Sequence, residues 1–188
     1  LMRSSAASDV YKRQPLHIVC KKQYPEIIQY LLQNGADPMR QDKDGNTPLH
    51  LLVKETKPQT IDCIDLLLDN GADINAVNDL QRTPFFVCAQ TTDNQFRNRN
   101  GILLNHLLEK GAYADTSDIN QNNPLYHAVE DDDLERVNLL LKAGVDPNCR
   151  NRNNISPYKL ALQKNRRSII SRIEKSQVKI TADPDDLD

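Results

Sequence analysis

Apolar and polar positions alternate along this chain in blocks, and the blocks return. Short apolar runs that each open on a proline begin at Pro15, Pro48, Pro84, Pro124 and Pro157, spaced 33, 36, 40 and 33 residues apart. Each is followed by a leucine-rich run, and in four cases that run ends on a glycine: Gly35, Gly71, Gly111 and Gly144, spaced 36, 40 and 33 apart. The two markers agree, so insertions of three and seven residues, at Glu55–Ile61 and Thr91–Gly101, fall between a proline and its following glycine. Proline suits the first turn of a helix, where its missing N–H is unpaired anyway. Glycine suits the residue after a helix, which commonly turns left-handed. The pattern therefore predicts pairs of helices, a short one carrying small residues such as Ala89 and Ala128 and a longer one carrying Leu66–Leu68 or Leu139–Leu141. Neither helix can bury its apolar stripe alone, so neighbouring units must stack.

The recurring text, NTPLHLLV…IDLLLDNGADIN, RTPFFVCA…LNHLLEKGAYAD, NNPLYHAV…VNLLLKAGVDPN and ISPYKLAL, resembles the ankyrin repeat with its T-P-L-H signature. The resemblance covers residues 15 to about 175 and implies an all-α solenoid of helix-turn-helix units joined by hairpin turns. Units are expected at about 15–45, 46–81, 82–121 and 122–154, with a terminal cap at 155–175. Lys164, Arg166, Arg167, Arg172 and Lys175 suggest the polar outer face of that cap. Residues 176–188 lose the helical pattern and read as a linker or acidic tail.

The front of the chain raises a separate question. Pro15-Leu16-His17 matches Pro48-Leu49-His50, yet upstream of it MRSSAASDVYKR supplies neither the turn nor the cap. Residues 1–14 read as a non-native linker joined to a truncated frame, which would make the chain a fragment; an ordinary disordered terminus is the alternative.

Composition narrows the function. A net charge of −2 provides no field for nucleic acid. No run of 18 apolar residues is present, so no membrane insertion is expected, and no apolar stretch near the start resembles a signal peptide. Cys20, Cys63, Cys88 and Cys149 form no C-x-x-C pair; they read as reduced thiols of an intracellular protein, cytoplasmic or nuclear, rather than disulfides or zinc ligands. No nucleophile–base set stands out, so neither an enzyme nor a cofactor is expected.

The resemblance implies a protein-interaction scaffold, with the partner met by turn tips and first helices on the concave side. Registered on the prolines, the candidate contacts begin with Lys21 and Lys22, then Lys43, Asp44, Asn46, Lys54 and Glu55. Asp79, Leu80, Arg82, Gln90 and Thr91 follow. The series continues through Ile119, Asn120, Asn122, Glu130 and Asp131 to Arg152, Asn153, Ile155, Gln163 and Lys164. Leu80, Ile119 and Ile155 are the expected anchors, although each could instead pack between turns. Phe96, in the second insertion, is a further candidate anchor, or folds back on the helices. A monomer is expected in the native context, bound to another protein. The alternative is the substrate-recruiting part of a larger enzyme, such as a ubiquitin ligase, a poly-ADP-ribosyl transferase or a kinase; a spacer in a longer structural array is a third class.

The resemblance also assigns His17 and His50 a local role in fixing the turn, with Phe86, Tyr126 and Lys159 in their place implying looser turns later. Asn75 and Asn148 sit in an L-x5-D-x-N spacing that resembles asparagine-hydroxylation sites. Of the run Glu130–Asp133, helix capping accounts for one or two carboxylates; the others are a solvated turn or an acidic patch.

Overall fold

A computed structural model describes residues 15–91 and 97–181. The readings made above of residues 1–14, of Phe96 and of residues 182–188 lie outside the described residues. Ten helices are described. They form five pairs: α1 (Pro15–Lys22) with α2 (Pro25–Gln33), α3 (Pro48–Leu52) with α4 (Thr60–Asp69), α5 (Pro84–Gln90) with α6 (Arg97–Glu109), α7 (Pro124–Glu130) with α8 (Leu134–Lys142), and α9 (Pro157–Gln163) with α10 (Arg167–Thr181). All five prolines of the repeat stand at the first position of a helix. The chain divides into two compact units at Tyr113–Ala114, three pairs in the first and two in the second.

In the first unit α1 packs on α3 and α3 on α5, while α2 packs on α4. Leu16, Ile28, Leu49, Leu52, Ile64, Leu67, Phe85, Phe86, Leu103 and Leu107 are its fully buried large side chains. Cys20, Cys63 and Cys88 are buried thiols in the same core, and burial pushes Cys63 up to about 11. In the second unit α7 packs on α9 and α8 on α10 around Leu125, Val137, Leu140, Leu160, Ile169 and Ile173.

Each second helix of the first four pairs closes in the same way. The residue after the glycine donates back to the leucine carbonyl five residues earlier, as Ala72 does to Leu67 at 3.0 Å, and Gly71 donates to Leu68 at 3.0 Å. Gly71 has φ +91 and open space where a Cβ would stand, so backbone conformation rather than crowding selects glycine there.

The first insertion is held by a residue whose role the sequence pattern hides. Gln23 ends α1 at φ +61 and is 3% exposed. Its Nε2 donates to the carbonyls of Leu52 at 3.1 Å and Glu55 at 2.5 Å, and its Oε1 accepts from the Thr60 hydroxyl at 2.6 Å. Lys57 N–H in turn donates to Thr60 Oγ1 at 2.7 Å. The loop between α3 and α4 is therefore pinned at both ends from the preceding pair.

Two expectations at the far end need correction. The helical pattern does not stop at Lys175, because α10 runs to Thr181. The basic residues of the last pair do not all face outward either. Arg166 reaches Asp132 of the preceding pair at 2.7 Å, and Arg172 hydrogen-bonds Asn138 there.

Candidate partner interface

Four turns, here called fingers, precede α3, α5, α7 and α9: residues 42–46, 78–82, 118–122 and 151–155. One short polar side chain organises each. Asp42, Asn78, Asp118 and Asn151 are all buried. In every finger the Oδ1 of that residue accepts two backbone N–H groups, two and four residues ahead. The distances are 3.0 and 2.9 Å in the first finger, 3.0 and 3.1 Å in the second, 2.9 and 3.0 Å in the third, and 3.0 and 3.0 Å in the fourth. The fourth finger residue is left-handed throughout: Gly45 at φ +73, Gln81 at +59, Gln121 at +62 and Asn154 at +60. These organisers were absent from the sequence-derived candidates. Their signal is an Asp or Asn six residues before each proline, which resembles any polar turn until the bonds are seen.

Neighbouring fingers are joined within each unit. Asn78 Nδ2 donates to Asn46 Oδ1 at 2.9 Å, and Asp79 N–H to the Asp44 carbonyl at 3.2 Å. In the second unit Asn151 Nδ2 donates to Asn122 Oδ1 at 2.7 Å, and Arg152 N–H to the Asn120 carbonyl at 3.1 Å. Asn46, 5% exposed, and the half-buried Asn122 therefore use their amides inside the fold. Their sequence-derived place among outward contacts gives way to this bridging role.

The histidines do more than fix their own turn. His17 Nε2 donates to the Asn46 carbonyl at 3.1 Å, and His50 Nε2 to the Arg82 carbonyl at 2.9 Å. Each ties its helix to the finger of the next pair. A carbonyl only accepts, so the proton of His50 sits on Nε2. Nδ1 then accepts from Thr47 N–H at 3.2 Å and lies 2.9 Å from the Thr47 hydroxyl. A second proton on Nδ1 would displace the Thr47 N–H, and burial holds His50 down at about 4.

Where the histidine is replaced, the turns are not looser. Thr83, Asn123 and Ser156 accept from the N–H of Phe86, Tyr126 and Lys159 at 3.2, 3.0 and 3.2 Å. Their backbones (φ −81, −84 and −91) match Thr47 at −77. The cap sets the turn, and the side chain three residues on is free to change. Phe86 is buried with the Arg82 guanidinium 5.4 Å above its ring, and Tyr126 is half-buried.

The acidic run is engaged throughout. Asp133 caps α8 by accepting from Arg136 N–H at 3.1 Å; Asp131 pairs with Arg136; Asp132 pairs with Arg166; Glu130 lies 3.8 Å from His127. Capping accounts for one of the four, within the expected one or two, and Asp131 and Asp132 add ion pairs. His127, off the signature register, donates from Nε2 to Asp118 Oδ2 at 3.0 Å. Burial alone would raise the Asp118 carboxyl, but this bond and the N–H groups of Asn122 and Asn120 bring it below the ordinary carboxylate value. His106 and Lys110 converge on Asp65 at 2.9 and 2.8 Å, linking α6 to α4.

Of the expected anchors, Leu80 is 46% exposed, Ile119 43% exposed and Ile155 half-buried. They occupy the third, second and fifth finger positions, so they are not equivalent by register. Lys43, Asp44, Asp79, Asn120, Arg152 and Asn153 are exposed on the tips. Lys21, Lys22, Gln163 and Lys164 are exposed at the ends of first helices, whereas Glu55 pairs with Lys57 at 3.1 Å and the Thr91 hydroxyl donates to Cys88. Asn75 bonds at both ends of its amide, donating to the Gly111 carbonyl at 3.1 Å and accepting from Tyr113 N–H at 2.9 Å. Asn148 is exposed, with its N–H on Asp146 Oδ1.

The structure gathers one group of candidates into a single cleft. Between the first and second fingers lies a space of about 410 Å³ lined by Asp44, Lys54, Asp79, Leu80, Arg82 and Val87 among others. No described helix is long and apolar enough to cross a membrane.

Comparison with known proteins agrees with this geometry. The family model for ankyrin repeats in three copies matches residues 1–78 and 59–151. The chain is 33% identical over 144 residues to the B-cell lymphoma 3 protein homolog of Mus musculus, covering 74% of this chain and 30% of that protein. It is 32% identical over 152 residues to Rabankyrin-5 of Homo sapiens, covering 79% of this chain and 12% of that protein. It is 35% identical over 99 residues to ankyrin repeat and SOCS box protein 6 of Homo sapiens, covering 52% and 23%. The chain thus spans less than a third of the length of these relatives. Capped first helices, glycine-closed second helices and fingers bridged across successive pairs, together with the match along most of the chain, make this protein a member of the ankyrin-repeat family.

Proposed function

We propose that this chain binds another protein along its finger tips and first helices and performs no chemistry of its own. Ankyrin repeats are generally protein-interaction modules. The observation that carries the reading here is the cleft between the first two fingers. It brings Asp44, Asp79, Leu80 and Arg82 together with Lys54 and Gln90, so charged, amide and apolar groups meet on one concave surface, as a recognition site requires. In the second unit the exposed Ile119 offers a further anchor.

The test is capture of a partner from cell lysate followed by affinity measurements. Leu80→Ala and Ile119→Ala each weaken binding by about 1–2 kcal/mol or more, while thermal unfolding stays nearly unchanged because both side chains are exposed. Variants that bind normally place recognition elsewhere, with Phe96 next to be tested. Variants that unfold make these side chains part of the packing. Because the chain spans under a third of its relatives' length, a second reading makes this array the recruiting part of a longer protein, including an enzyme. Asn75 and Asn148 stay proposed modification sites, and mass spectrometry of the cellular protein tests them.

A further inference from the structure

Successive pairs in the first unit are also joined by a side chain that stands four residues past the closing glycine. Asn75 takes that place after Gly71. Its Oδ1 accepts from Tyr113 N–H at 2.9 Å and its Nδ2 donates to the Gly111 carbonyl at 3.1 Å. Met39 takes the same place after Gly35. Its sulfur accepts from Asp73 N–H at 3.0 Å, and Asp73, like Tyr113, is the second residue past a glycine. The two backbones agree as well: Met39 N–H donates to Asp37 Oδ1 and Asn75 N–H to Asp73 Oδ1, both at 2.8 Å. The same position carries Asp115 and Asn148 in the later pairs. Met39 is therefore the member of the series whose acceptor is sulfur rather than oxygen. A thioether is a weak acceptor, so the Met39 joint is weaker than the one at Asn75. Met39 is also 38% exposed. Its sulfur has two lone pairs; the Asp73 N–H occupies one, and the other is left to meet an electrophile.

We propose that Met39 is a reversible oxidation site, and that its sulfoxide holds the turn of the next pair more tightly than the thioether does. The oxidant is a peroxide. One oxygen of hydrogen peroxide passes to the sulfur as the O–O bond breaks and an S–O bond forms. Sulfur loses two electrons, and the proton left on the transferred oxygen joins the departing hydroxide as water. A pair of thiols reverses the step, becoming a disulfide while the oxygen leaves as water. Oxidation of a buried methionine disrupts a core because it makes an apolar side chain polar. That cost is small at a residue already in contact with water. The gain is a strong acceptor, the sulfoxide oxygen, one bond away from a sulfur that already meets an N–H. Rotation about the terminal bonds of this flexible side chain turns the oxygen to Asp73 as Asn75 Oδ1 is turned to Tyr113. The effect reaches the fingers. Beyond Met39 the same stretch of chain makes two further ties to the next pair, Gln41 Nε2 to the Val77 carbonyl at 3.1 Å and the Asp44 carbonyl to Asp79 N–H at 3.2 Å. Oxidation strengthens the first of these three successive ties and so stiffens the approach to the first two fingers.

Hydrogen exchange at the Asp73 amide, read by NMR on the full chain before and after treatment with hydrogen peroxide, tests it. Met2 is first changed to leucine, which leaves Met39 the only methionine. Mass spectrometry should find one added oxygen at Met39 at a peroxide concentration that oxidises a free methionine peptide. The Asp73 amide should then exchange about fivefold more slowly, the Tyr113 amide should be unchanged, and methionine sulfoxide reductase should restore the starting rate. Met39→Leu keeps the same cysteines and lacks the sulfur acceptor. Its Asp73 amide should exchange faster than in the natural chain and show no response to peroxide. The inference is overturned by a Met39 that resists oxidation, or by an Asp73 rate that rises or stays constant once Met39 is oxidised. It is overturned equally by an Asp73 rate that peroxide slows as much in Met39→Leu.

Discussion

The two compact units are built from the same kind of helix pairs and fingers, yet each is held internally by different chemistry. In the first unit, buried neutral histidines cross from one pair to the finger of the next, at His17–Asn46 and His50–Arg82. In the second unit the signature histidine is gone. Its ties run through acidic side chains instead: His127 to the buried Asp118 within one pair, the buried Arg136 to the half-exposed Asp131, and Arg166 to Asp132 across pairs. A buried hydrogen bond is indifferent to salt but intolerant of a change in protonation. A partly exposed ion pair has the opposite character. One backbone plan thus accommodates two bonding schemes with distinct sensitivities.

Acid separates the units most. The unfolded chain takes a proton on His50 near 6.5, while the folded first unit refuses it until about 4. Stability of the first unit therefore falls as pH drops through that window and levels off below it. The total loss is about 3 kcal/mol. Asp118 has the depressed carboxyl of the second unit, so its contribution persists through the same window and is lost only at lower pH. Hydrogen exchange followed from pH 7 to pH 4, corrected for intrinsic rates, should show α3 and α5 losing protection ahead of α7 and α9. The reverse order breaks the comparison. His50→Gln, which cannot be protonated, should flatten the pH dependence of the first unit.

Gly45→Ala is next in size. A Cβ there would stand 2.5 Å from Asp79 N at φ +73, where left-handed strain adds to the clash. The expected cost is about 2 kcal/mol, read by urea unfolding. Gln121→Ala, at the same finger position in the second unit, starts from a side chain already left-handed and should cost under about 0.5 kcal/mol. Equal effects would show that the two fingers are not held differently.

Asp133→Ala removes the cap of α8 and should cost the second unit about 1 kcal/mol, seen as faster exchange at Arg136 and Val137 with α4 unaffected. The smallest effect is that of salt. Raising ionic strength to about 1 M should weaken the Arg136–Asp131 and Arg166–Asp132 pairs by up to about 1 kcal/mol each, leaving the His50 bond unchanged. Asp132→Asn should remove part of that salt dependence.

What could be read from the sequence follows from what repeats. The prolines and glycines mark element ends through backbone restrictions that act in any context, and each proline did open a helix. The cross-pair bonds carry no such mark. Gln23 looks like any polar residue after a helix, and the Asp131–Arg136 and Asp132–Arg166 partners lie 5 and 34 residues apart. The turns at Phe86 and Tyr126 seemed open to loosening because attention fell on the missing histidine, whereas the capping residue before the proline sets the geometry. Helix α10 outlasts its apolar pattern because a helix packed on one side needs few buried residues, Ile169 and Ile173 here, to continue. Among the candidate contacts, Lys43, Asp44, Asp79, Asn120, Arg152 and Asn153 are exposed. Asn46 and Asn122 were misplaced because an amide that bridges two fingers looks the same in sequence as one that faces outward.

The fingers have a consequence for variation. Each is closed by its first side chain and by backbone groups, and the second and third side chains take no part in the closing bonds. The pairs found there are Lys43-Asp44, Asp79-Leu80, Ile119-Asn120 and Arg152-Asn153: basic with acidic, acidic with apolar, apolar with amide, basic with amide. Four unlike chemistries ride on one backbone trace. These positions behave like the interchangeable heads of a tool whose handle is cast once, so mutation there can redraw what the surface presents while the chain still folds by the same rules.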